Sequence, residues 1–166
     1  MNPALQSELN TLIRKLDGLG IVTKRARDGV LAEAAGPLRS AIAGRAPESD
    51  KPHSRYSTPK IAGKLRAPKG MGVIKATYQP GNLRKSVQTL RFRLSTAVFI
   101  GPKVRRSAGQ VPDGYYAHMV NFGTVNQTGQ HFVEAGVSVA GDTSLRLATE
   151  LMKRKIEAYA SQNNLK

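Results

Sequence analysis

Three histidines, His53, His118 and His131, are the residues of this 166-residue chain best suited to chemistry. His118 lies in the stretch YYAHMVNFGT, residues 115–124, three residues before an asparagine. None of the three histidines has the HExxH or HxH spacing that is typical of a metal site. A zinc site built from His118, His131 and Glu134 would require the fold to bring these three side chains together. Cysteine is absent, which excludes thiol nucleophiles, disulfides and cysteine-based zinc sites.

Hydrolytic or nucleotide-dependent chemistry has little support in the sequence. A serine nucleophile needs an adjacent base, and the chain has no GxSxG turn, no Walker loop and no GxGxxG motif. Acidic residues are scarce near the histidines, so a pair of catalytic carboxylates is difficult to build. A basic ribonuclease that uses His118 and His131, with Lys or Arg side chains for phosphate, is one alternative. Otherwise the sequence predicts a protein that is not an enzyme and holds no cofactor.

Positive charge is concentrated in the middle of the chain. The formal net charge is +15, from 26 Lys and Arg against 11 Asp and Glu. Residues 51–112, called here the acid-free segment, contain fourteen Lys or Arg and no Asp or Glu, whereas both flanking parts are nearly neutral. This pattern is typical of a surface that meets phosphates or an acidic protein. The alternative interpretation is a solvated loop that only aids solubility.

Sequence-specific DNA recognition is not indicated. The predicted helices are not joined by the short turn of a helix-turn-helix. Aromatic residues make up only 5% of the chain, which gives little material for stacking on single-stranded bases. Binding to phosphates without base readout therefore stays open as an alternative function.

The N-terminus, MNPALQSELN, has no basic region followed by an apolar core, so no signal peptide is predicted. No run approaches the ~18 apolar residues of a membrane span. We therefore expect an intracellular protein that does not enter a membrane.

Helices are predicted at both ends of the chain. Asn2 is a suitable N-cap before Pro3, and leucines then recur at helical spacing until the glycines of 17–20. A second helical run covers 21–44. A third helix is predicted over 141–160, with Asp142 or Thr143 as its cap.

Between the helices the sequence changes character. Residues 48–82 are rich in Pro, Gly, Ser and Lys, with one possible strand at 71–78. So long a stretch predicts an extended arm or long hairpin that orders against a partner. Strands are predicted at 84–94 and 96–102, joined by a tight connection at 94–96, and again within 129–139. The expected fold is one α+β domain over residues 1–166. Its small antiparallel sheet would pack against the N-terminal and C-terminal helices, with 48–82 as the arm.

The stretch YYAHMVNFGT fits either a strand or a short helix, and we favour the helix. Asp113 would be its N-cap and Gly123 the glycine that ends it. Tyr115, Met119 and Phe122 would then share one face.

Four motifs occur in a specific order: PGNLRKS at 80–86, IGP at 100–102, YYAHMVNFGT, and GQHFVEAGV at 129–137 before the last helix. This order resembles the tail-completion, or head–tail joining, protein family of long-tailed double-stranded DNA bacteriophages. Two departures stand out, because Asn121 replaces a glutamate of that pattern and Gln130 and His131 replace an Arg-Pro pair. If the glutamate and arginine normally form an ion pair, this chain has a neutral contact instead. The positions that carry the motifs are Gly81, Leu83, Gly101, Pro102, Tyr116, Val120, Phe122, Gly123 and Phe132.

The resemblance implies a structural, non-enzymatic protein of the virion tail or neck, made in the host bacterial cytoplasm. Such proteins form a homo-oligomeric ring, commonly of six copies, between the tail-terminator or tail-tube proteins and the head connector. Genomic DNA passes through the lumen without sequence-specific binding, and no cofactor is involved.

The resemblance and the charge together indicate where partners bind. We expect the arm to drape over a neighbouring subunit and its cations to face acidic partner surfaces, because tightly bound DNA would impede its own exit. Tyr116, Val120 and Phe122 are expected to anchor their segment in the core. The expected subunit or partner contacts are Arg55, Lys60, Lys64, Arg66, Lys69, Arg84, Lys85, His118 and Asn121.

Overall fold

The fold combines helices with short antiparallel strands. A computed structural model describes residues 2–18, 24–57, 73–91, 97–105 and 111–162. Within these ranges the helices are α1 (Pro3–Gly18), α2 (Lys24–Ala34), α3 (Gly36–Arg45), α4 (Asn82–Ser86), α5 (Ala117–Phe122) and α6 (Phe132–Gln162). The strands are β1 (His53–Ser57), β2 (Val73–Tyr78), β3 (Val87–Arg91), β4 (Val98–Pro102), β5 (Gly123–Thr124) and β6 (Gln127–Thr128). The predicted α+β class is confirmed.

Helix α6 is the element against which α1, α2 and α3 pack. Its 31 residues span about 46 Å at the rise of an α-helix. Helices α1 and α2 cover its C-terminal half, where Leu9 and Ala34 pack on Ala148 and Val30 packs on Met152. Helix α3 covers its N-terminal half. None of the described helices is both long and apolar enough to cross a membrane.

Helices α3 and α6 approach each other closely at Gly136. A Cβ atom at this position would lie 2.6 Å from Cγ1 and 2.8 Å from Cα of Ile42. The prediction of a strand within 129–139 is therefore wrong, because the glycine serves helix–helix contact and the helix already begins at Phe132. The predicted caps, Asp142 and Thr143, consequently lie inside α6.

Individual residues determine where the N-terminal helices begin and end. The cap predicted at Asn2 is confirmed, since its Oδ1 accepts the backbone amide of Ala4 at 3.0 Å. The second helical run is divided at Ala35 into α2 and α3, because Pro37 lacks an amide hydrogen and disfavours helix before it. Ser144 of α6 accepts the backbone amide of Leu38 at 3.1 Å and so satisfies one free donor of α3.

The described strands form three two-stranded antiparallel ladders. Strand β1 pairs with β2 from His53 opposite Tyr78 to Ser57 opposite Val73, so the arm begins as a hairpin. Strands β3 and β4 pair from Val87 opposite Pro102. The strands predicted at 71–78 and 96–102 are confirmed, whereas the first residues of 84–94 belong to α4. Residues 58–72 and the connection at 94–96 lie outside the described residues.

The main hydrophobic core lies where α3, α4, β3, α5 and α6 meet. It is mostly aliphatic, as the low aromatic content predicts, and one of its buried members is a phenylalanine. Its buried members are Ile42, Ala46, Leu83, Val87, Ala117 and Phe132.

Candidate functional site

Asp113 is the centre of a buried polar cluster at the base of the arm. Its side chain is fully shielded from solvent. Oδ2 accepts a hydrogen bond from Tyr78 Oη at 2.8 Å and a charge-assisted one from Arg55 Nη1 at 3.0 Å. Oδ1 accepts the backbone amides of Arg105 at 2.9 Å and Tyr115 at 3.1 Å. The carboxylate thus accepts four hydrogen bonds, one of them from a guanidinium.

The same cluster connects separate elements of the chain. The side chain of Asn82 donates to the backbone carbonyl of Asp113 at 2.6 Å and accepts its backbone amide at 3.0 Å. Arg55 lies on β1, Tyr78 on β2 and Asn82 on α4. These bonds therefore fix both strands of the arm's base to α4 and to the residues around Asp113.

Four aromatic rings pack beside this cluster. His53 stacks on Tyr78 with centroids 5.6 Å apart and meets Tyr116 edge to face at 4.3 Å. Tyr115 contacts both Tyr78 and Tyr116. The guanidinium of Arg55 lies 4.7 Å from the centroid of Tyr115. The rings and the polar cluster form one continuous contact surface at the arm's base.

Burial shifts the pKa of His53, Tyr115 and Tyr116. It lowers the pKa of His53 below its ordinary value of 6.5, so the imidazole is neutral at pH 7. The Nε2 atom of His53 is shielded from solvent and has no hydrogen-bond partner among the described residues. Burial also raises the pKa of Tyr115 and of Tyr116, so both phenols stay uncharged.

A cleft of about 470 Å³ opens beside the rings. Its walls include His53, Tyr115, Tyr116 and Glu48, and we call it the aromatic cleft. Hydroxyl and amide side chains complete its polar lining. These are Ser49, Ser54, Thr124, Gln127 and Gln130.

Asn121 holds the start of α6 in place. Its Nδ2 atom donates to both carboxylate oxygens of Glu134, at 3.0 and 2.9 Å, and its Oδ1 accepts the backbone amide of Val133 at 3.0 Å. The pKa of Glu134 is lowered by its own backbone amide and by this bond from Asn121. Asn121 is 3% exposed, so its predicted contact with a partner is corrected to a contact inside the chain.

The segment YYAHMVNFGT forms the short helix that we favoured, with two corrections. Asp113 does not cap α5, since the residue at the cap is Tyr116 and the Asp113 carboxylate is used in the polar cluster. Phe122 does not anchor the core because its side chain is 69% exposed. Tyr116 and Val120 do pack against the core. Gly123 ends the helix at a φ of 89°, a conformation that other residues rarely adopt.

The other predicted contact residues that the structure describes lie on three elements, β1, α4 and α5. Arg84 and Lys85 are exposed on α4, and His118 is exposed on α5. Arg55 is half-buried and paired with Asp113, so its charge is used within the chain. Lys60, Lys64, Arg66 and Lys69 lie outside the described residues.

The other motif positions serve the fold. Gly81 precedes α4 at a φ of 76°, and Leu83 is buried at 2% exposure. Gly101 and Pro102 lie on β4, paired with β3. Phe132 is the first residue of α6 and is 2% exposed.

The described residues include no group of three or more His, Asp or Glu side chains that could hold a metal ion. In particular, His118, His131 and Glu134 are not brought together as a zinc site. No family model matches the chain, and no similar curated protein or solved structure was found.

Sequence reasoning missed the Asp113 cluster and the aromatic cleft. One signal was available, because Asp113 is the sole acidic residue between Asp50 and Glu134. A single acid beside a long basic segment is well placed to pair with one of its cations. Nothing in the local sequence indicates that Arg55 is that cation, 58 positions away.

Proposed function

We propose that this chain is a structural protein of a bacteriophage neck or tail, which forms a ring that completes the tail and joins it to the head connector. The observation that carries the proposal is the order of the four sequence motifs together with where they lie. Leu83 of the first motif, Ala117 of the third and Phe132 of the fourth share one buried core, and Ile100 of the second packs against it. Motifs spread over more than fifty residues thus contribute to one packed unit.

The proposed role is architectural, with no catalysis and no cofactor. Asp113 is fully buried and bonded to structural donors. A general acid or base must instead reach the proton of a substrate. The exposed His118 has no acidic hydrogen-bond partner in the described residues.

The charge distribution supports a protein that meets acidic partner surfaces. The acid-free segment supplies fourteen of the 26 cations and includes both described strands of the arm. In a closed ring, an arm that reaches a different surface of the next subunit makes a head-to-tail contact. Neighbouring neck or tail proteins with acidic surfaces would then dock on the cations that remain exposed.

Electron microscopy of the purified protein in negative stain, with its mass measured by light scattering, tests this proposal. We expect closed rings, commonly of six copies, alone or on tail tubes added to the sample. A protein that stays monomeric under all conditions, with or without tail tubes, would contradict it.

A basic protein that binds nucleic-acid phosphates is the second candidate, and the acid-free segment is the observation in its favour. A gel shift that is lost at about 0.2 M salt is a generic electrostatic response and does not establish this function. Binding that survives that salt concentration, by a protein that forms no ring, would favour the second candidate over the first.

A further inference from the structure

We propose that the aromatic cleft binds a lysine or arginine side chain of a second copy of this chain, supplied by residues 58–72 of that copy. This inference rests on the proposed function, because it names the contact that would join neighbouring subunits in the ring.

The walls of the cleft suit a cation. The rings of Tyr115 and Tyr116 line it, and an ammonium or guanidinium group is attracted to the face of such rings. Arg55 already lies over the ring of Tyr115 within the same chain, which shows that this ring accepts a guanidinium. Arg55 forms an ion pair with Asp113. Because the carboxylate neutralises the guanidinium, Arg55 repels a second cation less strongly.

The electrostatics of the cleft differ from those of the chain as a whole. The chain carries a net charge of +15, yet no Lys or Arg of the described ranges lines this cleft. Its one acidic lining residue is Glu48, and its imidazole, His53, is neutral at pH 7. A cationic guest therefore meets one negative charge and no positive one in the described lining.

Glu48 is available to such a guest. Its side chain is exposed, and its carboxylate accepts no hydrogen bond from the described residues. The carboxylate lies close to the backbone of Gly81, where a Cβ atom would be 3.1 Å from Oε1. Glu48 thus lines the cleft, and its carboxylate forms no ion pair with any of the described residues.

Residues 58–72 supply suitable guests. They contain Lys60, Lys64, Arg66 and Lys69 and no acidic residue. The register of β1 and β2 starts at His53, beside the cleft, and ends at Ser57 opposite Val73. The four strand steps from His53 to Ser57 span about 13 Å. Placing residues 58–72 in the cleft of a second copy makes a head-to-tail contact, which gives a closed ring when the rotation between neighbouring copies returns to the first one.

Two variants that each damage one side of the contact test this inference. Glu48→Lys places a positive charge in the cleft, and Lys60→Gln, Lys64→Gln, Arg66→Gln and Lys69→Gln together remove the guests. We expect each variant alone to be monomeric by size exclusion with light scattering. A mixture of the two should give a heterodimer and nothing larger, because it contains one intact cleft and one intact arm per pair.

The exposed Asp50 provides the matched control, since Asp50→Lys makes the same charge change outside the cleft lining. A labelled peptide with the sequence of residues 58–72 gives a second readout, measured by fluorescence anisotropy on the chain that lacks the four cations. We expect Glu48→Lys to weaken peptide binding by about tenfold or more and Asp50→Lys to leave it within about twofold.

The possible failures are distinguishable. If Glu48→Lys forms rings as the wild type does, or if the mixture stays monomeric while the wild type forms rings, the cleft contact is overturned and the proposed function stands. If the peptide binds only when the chain's own four cations are removed and the wild type never associates, the arm occupies its own cleft. In that case both the second-copy contact and the ring are overturned.

Discussion

Asp113 is the sole acidic residue between Asp50 and Glu134, and the structure buries it completely. Its carboxylate neutralises Arg55 and accepts Tyr78 and two backbone amides. The conformation at the base of the arm therefore depends on one charge. A buried charge is costly unless its partners remain in place.

Replacing the charge of Asp113 tests how much the polar cluster contributes to the stability of the fold. We expect Asp113→Asn to lower the free energy of unfolding by about 3 kcal/mol, because Arg55 is left without its counter-charge and an amide cannot accept from all four donors. Urea unfolding followed by circular dichroism measures the loss. Asp50→Asn is the matched control, an exposed carboxylate that should change stability by less than about 0.5 kcal/mol. Equal effects at the two positions would contradict the assigned role of Asp113.

His53 gives the protein a pH dependence of defined sign. Its pKa is lowered in the folded chain, so between the folded value and 6.5 the unfolded chain binds more protons. The free energy of unfolding should therefore decrease as the pH falls below about 6.5 and stop decreasing below the folded pKa. The lowered pKa of Glu134 acts in a separate window, because its contribution is lost below about 4.5.

Unfolding measured between pH 7 and pH 5 tests this assignment. We expect His53→Gln to flatten the dependence of the free energy of unfolding on pH. His118→Gln, at an exposed histidine, is the matched control and should retain that dependence. An unchanged slope in His53→Gln would show that another group is responsible.

At the scale of elements, the contact between α3 and α6 depends on Gly136. Glycine inside a helix costs about 0.5–1 kcal/mol relative to alanine, so propensity alone favours Gly136→Ala. Packing decides otherwise, because the new Cβ would lie 2.8 Å from Cα of Ile42, a backbone atom that cannot rotate away. We expect Gly136→Ala to destabilise the protein by about 1–3 kcal/mol, measured by urea unfolding.

Gly44 is the matched control for this prediction. It lies on α3, it is exposed, and a Cβ there would meet no atom within 4 Å. Gly44→Ala should therefore be neutral or stabilising by up to about 1 kcal/mol. If both substitutions stabilise the protein, the helices can separate without cost and the packing argument fails.

The elements that sequence reasoning predicted correctly are those with local signals. Asn2 and Pro3 start α1, and the β-branched and aromatic residues of 96–102 form β4. The strand predicted within 129–139 failed because its valines and glycines resemble a strand bounded by turns. Gly136 is instead a residue of α6 at which α3 comes near.

At the scale of the whole molecule, the asymmetry of charge has a measurable consequence for association. If cations of the acid-free segment dock on acidic groups, raising the salt from about 0.1 M to about 1 M shortens the screening length from ~10 Å to ~3 Å and should weaken assembly. Sedimentation of the oligomer at increasing salt measures this. Urea unfolding at the same salt concentrations is the control, since loss of fold would also lower association. Assembly that is unchanged at about 1 M salt would show that charge does not drive docking.

The sequence alone determined the α+β class, the N-terminal cap, the position of the positive charge and the short helix at 117–122. Each of these follows from neighbouring residues or from composition. Only the tertiary structure decided that Asp113 pairs with Arg55, that Asn121 bonds Glu134 and that Phe122 is exposed. Asp113 and Arg55 join distant parts of the chain, and the other two outcomes depend on how α5 packs beside α6. Local patterns do not encode which residues the fold brings within hydrogen-bond distance.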